Sequence, residues 1–278
     1  MANTDTAELT QNEQHQRDLE RLEKMRPIDD DFMRELFRNN IPLAQLVLRI
    51  MTGKDDLIIT REETQYDLER LLGARSICLD VFATDDKGQL FNLEIQRSNK
   101  GASPKRARFH SSAIDVEFLK EKQEFDKLPT TYVIFVTEND VRKSNRPMYF
   151  FERKDTFTGE SFGDDEYIIF INGAYKNPDD NSDLAKLIHD FGCNKAEDMY
   201  FDLMAERTNY YKKTPKGVSH MCKIMEDMRN DEKMQEKIRT AVRMLADGTL
   251  SYEQIAKFTV LPIEKIEELA SQLASITA

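Results

Sequence analysis

Cysteine and histidine are scarce, with three Cys and four His in 278 residues. Cys78, Cys193 and Cys222 lie far apart, form no CxxC and share no ligand spacing with the histidines, which argues against a zinc site and a disulfide framework. They read as buried free thiols of a reducing compartment. Apolar runs are short. The longest, YVIFV and YIIFI, are strand-sized, far below the roughly 20 residues of a membrane span. The polar N-terminus carries no signal-peptide pattern, so cytoplasm is the expected location. No glycine-rich loop follows an apolar run, which counts against a Rossmann-like nucleotide enzyme. Cations are in the minority: 40 Lys and Arg face 51 Asp and Glu, for a net charge of −11. Phosphate binding draws its strength from Lys and Arg, so this balance opposes the simplest nucleic-acid expectation.

What remains is a globular composition, 40% hydrophobic and 33% charged, in a chain long enough for one medium domain and an appendage. The most structured stretch is Ser76–Arg97, SICLDVFATDDKGQLFNLEIQR. Ile77, Leu79, Val81 and Ala83 alternate with Cys78, Asp80 and Phe82; after Asp85-Asp86-Lys87-Gly88, Phe91, Leu93 and Ile95 alternate with Asn92, Glu94 and Gln96. Period-two alternation flanking turn residues predicts a hairpin. If Thr84 meets Leu90, Asp80 faces Glu94, and Gln96 shares their face. Two carboxylates so close repel unless one takes a proton or both take a cation, and oxygen donors suit Mg²⁺ or Mn²⁺. The same residues also suit a strand-end Asp and a solvent-facing Glu-Gln pair on a sheet edge.

Asp80 followed by Glu94-Ile95-Gln96 resembles the D…ExK core of the PD-(D/E)XK nucleases, and the wording is similar to the branch described as nuclease family transposases or recombination-promoting nucleases. PKRARFHSSAID, LPTTYVIFVTENDV, HDFGC, DMYF and GVSHMCKIMEDM follow in order, and DDDFMRELF resembles that family's first helix, with Met33 where a Lys is common. The similarity spans roughly residues 27–230. It implies an α/β, restriction-endonuclease-like core: a mixed central sheet flanked by helices, with an α-helical C-terminal region. It implies catalytic Asp80, Glu94 and Gln96, with Asp80 and Glu94 holding Mg²⁺ or Mn²⁺. Gln96 stands where the superfamily usually has Lys, which leaves metal binding in place and unsettles the usual account of nucleophile activation.

A basic run follows the carboxylates directly. Arg97, Lys100, Lys105, Arg106 and Arg108 contain no acid among them, and these are the candidate DNA-binding residues; a solvated loop and helix start is the plainer alternative. Ser103 and Pro104 open a helix expected to reach about Phe125 with Phe109, Ala113, Val116 and Leu119 on one side. Upstream, Asp29–Asp31 favour the start of a helix carrying Phe32, Leu36 and Phe37. DDLIIT at 55–60 is a short strand candidate, followed by a polar link over 64–72. TTYVIFVT at 130–137 has the apolar continuity of a strand buried on both faces.

The expected organisation is a frayed or disordered lead-in at 1–26, a nuclease-like core at 27–178, a helical extension at 179–247 and a helix-turn-helix-like tail at 248–278. In the tail, SYEQ is a capping box, but Glu264, Glu267 and Glu268 make a poor base-reading helix. Packing or homodimerisation through the C-terminal helices fits it better. Two functions follow. One is a metal-dependent DNA endonuclease tied to transposition or recombination; the other is a weak or inactive nuclease-fold protein serving as a DNA-binding or assembly module. No membrane partner is expected.

Overall fold

A computed structural model describes residues 11–68, 77–97 and 102–277. They divide into two compact units, Glu23–Thr214 and Met1–Leu22 with Pro215–Ala278. The boundaries drawn from sequence at 178/179 and 247/248 fall inside these units. Helix α1 (Gln11–Lys24) occupies part of the span expected as a frayed helix or a disordered lead-in.

In the larger unit, α2 (Asp30–Phe37) buries Phe32, Met33, Leu36 and Phe37. Asp29 holds the N-cap position, yet its carboxylate does not cap the helix as expected. It accepts from the Arg26 backbone N–H and pairs with the guanidinium groups of Arg26 and Arg97. Charge-assisted bonds are about twice as strong as neutral ones, and here they win. Helix α3 (Ile41–Thr52) starts on an Asn40 cap and stops at Gly53, whose φ of +68° is the left-handed conformation that glycine adopts without strain.

Strand β1 (Ile59–Asp67) pairs antiparallel with β2 (Cys78–Asp85) and forms one edge of the sheet. Its ITREETQYD sequence is too polar to read as a strand, because an edge strand stays partly wet. Strand β2 pairs antiparallel with β3 (Leu90–Gln96) in the register that alternation predicts, from Thr84↔Leu90 to Val81↔Leu93. Ser103 Oγ then accepts from the Arg106 backbone N–H at 3.1 Å and starts α4 (Pro104–Phe118). That helix ends short of the expected 125; a separate turn covers Phe125–Lys127. The fully buried β4 (Thr131–Thr137) lies parallel to β3, completing a strand-helix-strand crossover. Strand β5 (Met148–Phe151) pairs antiparallel with β6 (Glu166–Asn172), which is parallel to β4. Among the described residues one six-stranded mixed sheet results, in the order β1-β2-β3-β4-β6-β5.

Helices flank this sheet: α2 packs on β2, α3 on β1 and α4 on β4. The face of α4 that goes inward is a correction. Ala107, His110, Ser111 and Ile114 are buried, whereas Phe109 and Val116 are 44% and 62% exposed. Ala107 and Ile114 join Phe82, Leu90, Val133, Phe135 and Phe170 in the core. Two more helices, α5 (Asp183–Gly192) and α6 (Asp202–Lys213), follow, and the fully buried Asp190 carboxylate accepts from the Tyr200 and Phe201 N–H groups between them. The thiols also depart from expectation. Cys78 is exposed at the open end of β2, and Cys193 and Cys222 are only partly buried.

The second unit contains α7 (Pro215–Asp247), α8 (Tyr252–Thr259) and α9 (Ile263–Thr277). Ala241, Ile255, Leu261, Ile266 and Leu269 form its core, and Arg229 pairs with the buried Asp18 at 2.6 Å. Ser251 and Gln254 make the capping box at the start of α8. Val260, which ends α8, is 74% exposed with φ +56°, a conformation costly for a β-branched residue. Relief of a left-handed residue amounts to roughly 1–2 kcal/mol. Val260→Gly is therefore expected to raise the urea midpoint of this unit's transition; an unchanged or lower midpoint would mean that the turn is not strained. Among the described residues no helix is long and apolar enough to cross a membrane.

Candidate active site

The ladder between β2 and β3 ends at Val81↔Leu93, and the next residues on each strand are Asp80 and Glu94. There the carboxylates take over from backbone carbonyls. Glu94 Oε1 accepts from the Asp80 N–H at 3.3 Å, and Asp80 Oδ2 accepts from the Ile95 N–H at 3.1 Å. Each acid thus satisfies a backbone amide at the fork. Both are buried, Glu94 at 1% exposure and Asp80 at 9%. Burial first, and then the charge of Glu94, raises the Asp80 carboxyl above its ordinary value against the opposing pull of Arg34. Gln96 ends β3 two residues beyond Glu94, half-buried, with its Cα opposite Thr137 of β4.

Two arginines and one histidine balance the pair. Arg34 of α2 reaches Asp80 Oδ1 at 3.1 Å and also pairs with Asp31. Arg106 of α4 reaches Glu94 Oε2 at 3.4 Å. His110, one turn further along α4, places Nδ1 3.5 Å from Glu94 Oε1. Sequence reading missed Arg34 and His110. Arg34 is 46 residues from its partner, and only the packing of α2 on β2 joins them. For His110 a signal existed in the spacing of Ala107, Ser111 and Ile114, which places it on a buried stripe.

The candidate DNA-binding residues do not converge as one clamp. Arg97 is held by Asp29 and Glu138, each at 3.2 Å. Arg106 faces Glu94, and Lys100 lies outside the described residues. Lys105 and Arg108 line a separate groove of about 310 Å³ with Arg153, Glu152 and Glu166. Of the run, Arg106 alone touches the carboxylate pair among the described residues.

The donor set fits a hard divalent ion. Asp80 and Glu94 offer carboxylate oxygens, although among the described residues no group of three or more His, Cys, Asp and Glu is arranged to hold a metal ion. Mg²⁺ is commonly held by one or two carboxylates plus waters and substrate phosphates, so two acids suffice. Arg34 and Arg106 already sit on one oxygen of each acid, so an arriving cation competes with them.

A family model described as PD-(D/E)XK nuclease family transposase matches residues 38–254, well over half of the 278. Asp80, Glu94, Gln96, Arg106 and His110 all lie within the match, and Arg34 just before it. No curated protein and no solved structure matches significantly. The mixed sheet with its flanking helices agrees with that family description. On these grounds the chain belongs to the PD-(D/E)XK nuclease family transposases.

Proposed function

We propose that this protein is a metal-dependent DNA endonuclease, hydrolysing phosphodiester bonds in transposition or recombination, with Asp80, Glu94 and Gln96 as its catalytic residues. The observation that carries this reading is the pair of buried carboxylates at the strand fork, each held by a backbone N–H of the hairpin. Asp80 and Glu94 would hold Mg²⁺ or Mn²⁺. Such an ion supplies Lewis acidity, lowering the pKa of water and neutralising charge on phosphate oxygens.

The chain's own groups do the rest. Gln96 can orient a water through its amide but cannot take the proton, since an amide is not a useful base. The proton therefore leaves to a second water or to a phosphate oxygen. Arg106, facing the acids, is placed to turn its guanidinium onto the phosphate beside them, and Arg suits paired phosphate contacts. Lys105 and Arg108 would grip the backbone farther along. Burial of Asp80 and Glu94 in the sheet limits water around the reacting groups. The C-terminal helices would supply a homodimer contact.

The arginine pairs on both acids favour a second reading, in which the fold binds DNA or a partner without cutting. Plasmid DNA separates the two. The endonuclease reading expects nicking or linearisation with Mg²⁺ or Mn²⁺ and intact supercoils with EDTA. Binding without cleavage in either metal would leave the second reading in its place.

A further inference from the structure

The inward face of α4 carries His110 to the rear of the carboxylate pair, where its ring is 4% exposed. Three polar groups meet that ring. Arg106 Nε lies 3.2 Å from Nε2, Asn92 Nδ2 lies 3.2 Å from Nδ1, and Glu94 Oε1 lies 3.5 Å from Nδ1. Phe135 closes one side, its centroid 5.8 Å from that of the imidazole.

The hydrogen-bond chemistry decides which nitrogen carries the proton. A guanidinium N–H only donates, so Nε2 accepts from Arg106 and the ring proton sits on Nδ1. That proton faces the Asn92 amide at 3.2 Å, with Glu94 Oε1 beside it at 3.5 Å. Asn92 is fully buried, and its Oδ1 has no hydrogen-bond partner. Half a turn of the amide sets Oδ1 against Nδ1–H and removes the meeting of two N–H groups, with Nδ2 taking the unpartnered place. Asn92 and Glu94 are two residues apart on one strand and so present the same face to the ring.

We propose that His110 is a positioning residue: Nδ1–H orients the Glu94 carboxylate while Nε2 fixes the Nε edge of Arg106. One ring then sets the group that holds the cation and the group that meets the phosphate. The consequence for cation binding rests on the endonuclease reading, whereas the tautomer stands on hydrogen bonding alone. His110 does not act as a general base, because its one accepting nitrogen is taken by Arg106.

The test has two arms. The chain holds four histidines, so ¹⁵N-histidine NMR of the full protein gives few ring signals to assign. The His110 ring is expected as the Nδ1–H tautomer, moving toward Nε2–H in Arg106→Ala, where the donor to Nε2 is gone. Calorimetric titration with Mn²⁺ is the second arm. Loss of an outer partner of a metal ligand typically costs about 10–100-fold in affinity. His110→Ala should fall in that range, with its thermal midpoint showing that it folds. His110→Asn places an amide donor near the Nδ1 position and should recover most of the affinity, whereas His110→Gln, whose amide lies nearer Nε2, should not. A wild-type ring protonated on Nε2, or Asn and Gln variants indistinguishable from Ala, overturns the proposal. Wild-type protein that shows the Nδ1–H ring and binds no Mn²⁺ supports the orienting role and defeats the cation reading.

Discussion

Asp80→Asn and Glu94→Gln are each expected to abolish metal-dependent cleavage of plasmid DNA while leaving the protein folded. Each removes one of the only two carboxylates at the fork among the described residues. Metal-ion stabilisation amounts to several kcal/mol, which is about a thousandfold or more in rate. Stability should move the other way or not at all. The folded-state value of the Asp80 carboxyl is raised, by burial and then by Glu94. A raised carboxyl contributes stability that is fully present below its unfolded value of about 3.9 and is lost as pH rises through the folded value. At neutral pH the wild type therefore carries the cost of a buried charge, partly offset by Arg34. Asn carries no charge. The midpoint of Asp80→Asn without metal should match or exceed that of the wild type, with the difference shrinking as pH falls toward the carboxylate range. Equal cutting by wild type and both variants would assign the activity to a contaminant.

Joint replacement of Arg106 and Arg108 by Ala should weaken DNA binding about equally for unrelated sequences. Phosphate contacts carry no sequence information, and each one lost removes a counterion-release contribution. The log–log salt slope should become shallower by about two. Arg97→Ala is the contrast. Its guanidinium is engaged by Asp29 and Glu138, so its removal should change the slope much less. Binding by the double variant with unchanged affinity and slope would place the DNA path elsewhere, and an Arg97 effect as large as the pair's would show that its ion pairs open on binding.

The hairpin was legible because alternation and turn residues agree, and a one-residue slip would invert every side chain. Its observed register, with Thr84 opposite Leu90, is the one that sets Asp80 beside Glu94. The cap at Ser103, the buried β4 and the capping box at Ser251 were legible for similar local reasons. Strand β1 was not, because Arg61, Glu63 and Gln65 sit on an edge that water reaches. The inward face of α4 was misread for a different reason. Phe109 and Val116 outweigh Ala107 and Ile114 in apolar bulk, yet the helix turns toward the sheet the side on which Arg106 and His110 meet Glu94. Pairing a buried charge outweighs a modest gain in apolar area. Arg34 meets Asp80 through packing between distant segments, which no local pattern encodes.

The central claim is that Asp80 and Glu94 share a divalent cation, and the anomalous signal of Mn²⁺ in a crystal of the wild-type protein tests it most directly. A peak about 2.0–2.4 Å from a carboxylate oxygen of each residue, with Arg34 or Arg106 drawn off its acid, is the predicted result. Manganese bound elsewhere, with both arginines still seated on Asp80 and Glu94, would contradict it.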